Sequence, residues 1–421
     1  MNNHLLDTKK AVLVFSAFGI AYFVSTLVRA VTATLSPALS VELNLQAHEL
    51  GLLAGGFSLG FALVQIPMGG WLDRFGPKKV SMFLMMFAFF GCVGFALARN
   101  FYELWAARIL TGVGVSACLM APLTGGRRWL APATQMRANS WLLMTGSLGM
   151  LMSTLPVQWV LPYLGWRFVF LCLSVILVFS LVMINMYVPS WEVQQETPDG
   201  GAKKLDFWAS YLLVVKNPYF RKVVPVGFFG YGSLLAIQTL WAGPWLVQIE
   251  KYTPMEAASG LFFINLAMLF CFGAWGWAMP FLEHRGFNVT RLMKLIYPFS
   301  LICLLWLSQS TQGQGVGILI LFCLTSSVIA MIQPTVGLSF DRELAGKALC
   351  SFNLVIFLGI FVVQWGLGLL IDWGSSIGLS IDGSYRLAFI IDLCCCAVSY
   401  VYFLLPKGDN SKPEFKESHA K

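Results

Sequence analysis

The sequence predicts an all-α membrane protein of twelve spanning helices in two six-helix halves, and three observations predict it. Only 11% of the 421 residues are charged, 57% are hydrophobic, and the mean hydropathy is +0.73. That is too little polar surface to cover a water-soluble globule. Apolar stretches of about 20 residues, enough to cross about 30 Å of hydrocarbon as helix, recur along nearly the whole chain. A long polar interruption, beginning "PSWEVQQETPDGGAKKLDF" and ending "KNPYFRK", divides them six and six.

The spans are expected at 12–38, 49–72, 79–98, 101–123, 138–161 and 167–188 in the first half. In the second they fall at 222–248, 256–281, 292–310, 314–337, 348–371 and 384–405. The halves are read as 1–188 and 222–406, joined by a cytoplasmic linker at 189–221 and followed by a tail at 407–421. Within the linker, 205–215 is a candidate surface helix. The first span has Lys9 and Lys10 before it and no small-residue cleavage site after it, so it is read as a permanent helix.

An even number of spans puts both termini on one side. By this topology Arg99, Arg167, Lys251 and Arg386 lie on the opposite side, Arg29 and Arg108 fall inside spans, and the other 22 of the 28 Lys and Arg residues share the side of the termini. The positive-inside tendency makes that side cytoplasmic. The net charge of +8 follows from these orientation signals and from contact with anionic membrane lipid, so no nucleic-acid partner is needed to explain it.

The ten cysteines fall in spans and read as small packing residues. His4, His48, His284 and His419 have no metal-site spacing, so no metal and no cofactor is expected. Nor is there a convergent nucleophile and base, which argues against an enzyme.

Between the second and third spans stands "GGWLDRFGPKKV", beginning at Gly69. Gly69, Asp73, Arg74, Gly76, Lys78 and Lys79 fill every position of G-x-x-x-D-[RK]-x-G-x-[RK]-[RK], the signature of the major facilitator superfamily, which the chain resembles over essentially its whole length. The resemblance implies two rocking six-helix halves around a mid-membrane site, with this loop as an inner gate in which Asp73 and Arg74 act. The equivalent stretch of the second half, "GAWGWAMPFLEHRGF", keeps Gly276, Arg285 and Gly286 but has only Glu283 near the acidic position. Asp341, Arg342, Glu343 and Lys347 form a further mixed-charge inner cluster.

A charge inside a span is costly and usually faces a cavity, which singles out Arg29 and Arg108. Two guanidinium groups at similar depth can converge on one anion, while snorkelling, or an ion pair between Arg108 and Glu103, is the alternative. Arg29 followed by Pro37, with Gln65, Ile66, Pro67 and Gly69 ending the second span, resembles the organic anion branch of the superfamily. That resemblance implies that Arg29 binds a substrate carboxylate and that Arg108 lies nearby. The branch often carries acids for proton coupling where this chain has Val28 and Val115. Of the acids near spans only Asp392 is embedded, so a coupling proton or ion is left open.

The second half offers uncharged polar and aromatic groups: Tyr231, Gln238, Trp241, Asn265 and Asn353, among others. Of these, Gln238, Trp241, Asn265 and Asn353 join Arg29 and Arg108 as candidate substrate contacts. The expectation is a monomeric secondary transporter in a bacterial inner membrane, taking up a small carboxylate-type anion. The alternatives are an exporter or facilitator of a larger aromatic or amphipathic metabolite, or a membrane sensor that keeps the fold without transporting.

Overall fold

The computed structural model describes residues 5–191, 207–309 and 315–405, apart from the side chains of Pro132, Ala133, Met136, Phe207, Arg342 and Glu343. Helix is the only regular structure among them. Ten helical stretches are long and apolar enough to cross a membrane, and two of these turn on a single non-helical glycine. Gly76 (φ 80°) divides residues 65–97, and Gly165 (φ 71°) divides residues 155–187. Both lie in the left-handed region, where a Cβ is strained and glycine is not.

Twelve spans result. In the first half α1 is Thr8–Leu43, α2 is Ala47–Leu63 continued by 65–75, and α3 is 77–97. Next come α4, Phe101–Trp129, α5, Pro132–Met152 continued by 155–164, and α6, 166–187. The second half has α7 (Pro218–Gln248), α8 (Pro254–His284), α9 (Val289–Gln309), α10 (Gly317–Leu338), α11 (Arg342–Ser376) and α12 (Ile381–Leu404). The expected turn at "LDRFGPKK" is therefore helix interrupted at one residue, and α1 runs past both of its expected ends.

Helix starts at the face opposite the N-terminus are capped by polar side chains, as orphan N–H groups there require. Asn100 Oδ1 accepts from Glu103 N at 3.0 Å to open α4, and Ser380 Oγ accepts from Gly383 N at 3.2 Å to open α12. At α8, Thr253 and Glu256 cap each other's backbone N–H. Before α7 the helix Phe207–Lys216 lies against α11, and Tyr211 donates to Ile66 O of α2 at 2.7 Å. Burial pushes the Tyr211 hydroxyl up to about 12, so it keeps its proton and remains a donor at any physiological pH.

Within each half, helices approach through small residues, as expected where lipid removes any hydrophobic drive between spans. At the α2–α4 crossing a Cβ on Gly112 would sit 2.0 Å from Phe57 O, and one on Gly60 would sit 2.1 Å from Ile109 O. Gly112→Ala is therefore expected to push the pair apart and cost about 1–3 kcal/mol, read as a lower melting temperature of the detergent-solubilised protein.

The halves meet along α1–α7, α2–α11 and α5–α8. Advancing each helix by six places exchanges the last two pairs, so the interface carries the pseudo-twofold of two repeated halves.

The geometry of a cross-half site

At the interface Phe61 of α2 and Phe357 of α11 stack with centroids 3.8 Å apart and planes at 15°. Over this pair lies the Arg29 guanidinium, 5.9 Å from the Phe61 centroid and 5.3 Å from that of Phe357. Cation–π attraction holds the guanidinium at the rings. Arg29 is partly accessible, and its Nε is buried without a hydrogen-bond partner. Its charge acts on two phenols, Tyr22 of α1 and Tyr231 of α7. One cation and two stacked rings, drawn from both halves, thus share one place, within electrostatic reach of the two phenols.

Arg108 points elsewhere. It is 1% exposed, lies 5.1 Å over the Phe57 ring, and donates from Nη1 to Val28 O at 2.8 Å. The guanidinium therefore grips the α1 backbone at the residue before Arg29. An ion pair with Glu103 is not formed, because that carboxylate accepts from Arg99 N and Asn100 Nδ2, both at 2.7 Å.

The amides and Trp241 of the second half are engaged with one another. Gln238 Nε2 donates to Asn265 Oδ1 at 3.0 Å, and Asn265 donates on to Leu261 O. Trp241 Nε1 donates to Gln364 O at 3.0 Å, and Gln333 Nε2 donates to Asn353 Oδ1 at 2.7 Å. These contacts tie α7 to α8, α7 to α11, and α10 to α11. Tyr22, Phe61 and Phe357, which join Arg29 instead, are not among the residues singled out from sequence. Tyr22 carried a signal, standing seven residues before Arg29 and hence on the same helical face.

At the face that carries the N-terminus Asp73 is exposed and feels the charges of Arg127 on α4 and Lys347 on α11. Lys347 belongs to the opposite half, so attraction there spans the interface. Lys78 Nζ donates to Asn185 O of α6 at 2.6 Å, while Arg74 lies over Phe75 and Lys79 is exposed. Trp191 covers the turn: its Nε1 donates to Asp73 O at 3.2 Å, and a Cβ on Gly76 would fall 2.1 Å from its own Cβ. Gly69 lies opposite Cys350, where a Cβ would make an ordinary contact at 3.7 Å. Gly286 repeats the turn between α8 and α9 with φ 79°, but Gly276 has open space around it. The Arg342 and Glu343 side chains of the second inner cluster lie outside the described residues.

The halves also touch at the face opposite the N-terminus. Asp372 at the end of α11 accepts from Ala47 N at 3.2 Å, from His48 N at 2.7 Å, and pairs with the His48 ring at 2.7 Å. A carboxylate of one half thereby caps the N-terminus of a helix of the other, where the helix dipole favours negative charge. Beside it, a Cβ on Gly243 of α7 would lie 2.4 Å from Ala33 O of α1, and one on Gly51 of α2 would lie 2.4 Å from Gln364 O of α11. Asp372→Ala removes three contacts between the halves at this face and is expected to raise the population open there about tenfold, read as longer spin-label distances between the ends of α2 and α11 that meet at it.

The family model described as Major Facilitator Superfamily matches residues 18–364. An uncharacterised transporter of Bacillus subtilis, YybO, is 22% identical over 410 residues, covering 90% of each chain. The galacturonate transporter of Dickeya chrysanthemi is 26% identical over 311 residues, covering 68% of this chain and 86% of its own. Among solved structures, a bacterial homologue of the human lysosomal transporter Spinster, inward-facing and unoccupied, superposes with a TM-score of 0.75 at 14% identity, covering 94% and 97% of the two chains. With twelve helices in two halves and the loop signature turned on Gly76, the chain belongs to the major facilitator superfamily and is a multi-pass membrane transporter.

Proposed function

We propose that the chain takes up a small organic anion, binding its carboxylate at Arg29 and exchanging access between the two faces by rocking its halves. The observation that carries this reading is the partly accessible Arg29, placed on the cross-half ring pair Phe61–Phe357 with its Nε unbonded. An embedded arginine without an acidic partner is costly unless a ligand supplies the negative charge. A carboxylate does so through two parallel hydrogen bonds. Tyr22 and Tyr231, which feel the Arg29 charge, are candidate donors to further oxygens, and the stacked rings suit an apolar or ring-shaped body.

Arg108 is a positioning residue in this reading: by holding Val28 O it fixes the helical turn that presents Arg29. The similarity to a galacturonate transporter supports a carboxylate as cargo. The charge distribution of the loops supports a bacterial inner membrane with both termini cytoplasmic. The test is a thermal-shift screen of the purified protein against sugar acids, aromatic carboxylates, inorganic phosphate and neutral sugars. Ligand binding to the native state must raise its melting temperature. Stabilisation by carboxylates alone is expected, and stabilisation by neutral sugars alone would overturn the reading. Flux into right-side-out and inverted vesicles then fixes the direction, uptake being expected.

A further inference from the structure

The second half buries one carboxyl that the site above does not use. Asp392 is 5% exposed and stands 11 residues into α12, about 16 Å below its outer end on a helix about 36 Å long. Ser233 Oγ of α7 donates to its Oδ2 at 2.5 Å, and Cys396 Sγ lies 4.0 Å from its Oδ1. The titratable groups its charge reaches among the described residues are Tyr297 on α9 and Cys395 and Cys396 on α12. None of these is a cation, and the ion pairs of the described residues, His48–Asp372 and Arg167–Glu42, lie elsewhere. A carboxylate at this depth with one hydroxyl donor and no positive partner costs several kcal/mol, and binding a proton removes that cost.

Its only strong contact falls on a weak point of α7. Ser233 lies between two π-helical runs, Val226–Tyr231 and Ile237–Trp241, where the helical ladder is locally widened. The first run ends in Tyr231, which feels Arg29, and the second contains Gln238 and Trp241. We propose that Asp392 is the proton-binding carboxyl of this carrier, and that its protonation resets the α7 segment that faces the anion site. The step is the reversible addition of one proton to one carboxylate. It turns the Ser233 contact around, the carboxyl then donating and the hydroxyl accepting. The inference deepens the transport reading by assigning a coupling group where Val28 and Val115 leave none.

Two readouts need the proton alone as ligand, so they stand or fall independently of the anion. Infrared difference spectra of the reconstituted protein across a pH titration should show a protonated-carboxyl C=O band in the wild type that bleaches as pH rises and is missing from Asp392→Asn. Ser233→Ala should keep the band and shift its frequency. Hydrogen exchange of residues 226–241, corrected for intrinsic rates, should change over the same pH range in the wild type and not in Asp392→Asn. Infrared titrations that coincide for wild type and Asp392→Asn would overturn the proposal. So would a band that titrates while exchange at 226–241 stays unchanged, since Asp392 would then be a proton store without effect on α7.

Discussion

Arg29→Ala is expected to abolish the stabilisation that carboxylates give the wild type and to weaken binding by at least ~100-fold, about 3 kcal/mol. Nothing beside it can substitute. Arg108 is sealed behind α1 on Val28 O, and Tyr22 and Tyr231 offer neutral donors. Arg29→Lys should retain a fraction of the affinity, because an ammonium keeps the charge but loses the planar fork that grips two oxygens. That ordering separates a ligand contact from a structural role. A residue needed only to hold Phe61 against Phe357 would leave carboxylate and neutral-sugar responses equally altered. Calorimetric titration with galacturonate as first probe, on wild type and both variants, reads the result. Equal affinities for wild type and Arg29→Ala would remove Arg29 from the site.

Gly243→Val is expected to stop uptake while leaving a folded protein that binds from outside. In the outer-closed state α7 comes so near α1 that a Cβ at Gly243 would stand 2.4 Å from Ala33 O, with Ser36 Oγ at 3.5 Å. Neither helix can yield locally, since the obstacle is backbone. Closing around valine therefore costs about 3 kcal/mol, enough to cut the closed population ~100-fold. In the outward-open arrangement the same side chain meets no such wall. Uptake into right-side-out vesicles should fall at least ~10-fold, while the carboxylate thermal shift persists. Loss of both would mean a folding defect instead, and unchanged uptake would mean that the cycle does not pass through this contact.

Much of the scaffold was legible because each span is a local hydropathy event. The twelve spans and the division after the sixth follow from runs of apolar residues that the bilayer requires of any helix crossing it. Finer features were visible less evenly. Gly76 stood out through its motif, whereas the equivalent break at Gly165 lies in "PYLGWRF", a run with no charge cluster to mark it.

The site divided along the same line. Arg29 was visible since a cation within a span is anomalous by itself. Phe61 and Phe357 were not, because a phenylalanine in a span is unremarkable until another half brings its partner. The latch of Asp372 on His48 joins positions 324 apart, beyond the reach of any periodicity. The amides Gln238, Asn265 and Asn353 drew notice as polar groups in apolar helices, and the structure pairs them with neighbours in their own half.

Val28, where an acid would have balanced Arg29, has an electrical consequence. With no resident counter-charge beside it among the described residues, whatever neutralises Arg29 must arrive with each turnover and depart again. A monoanion carried inward alone transfers one negative charge against an inside-negative voltage, at about 2.3 kcal/mol per 100 mV. Such a cycle slows as the membrane polarises. With one accompanying proton it becomes voltage-silent, and with two it runs on the voltage. The sign of the current recorded from a supported membrane on adding an anion therefore counts the cations that travel with it.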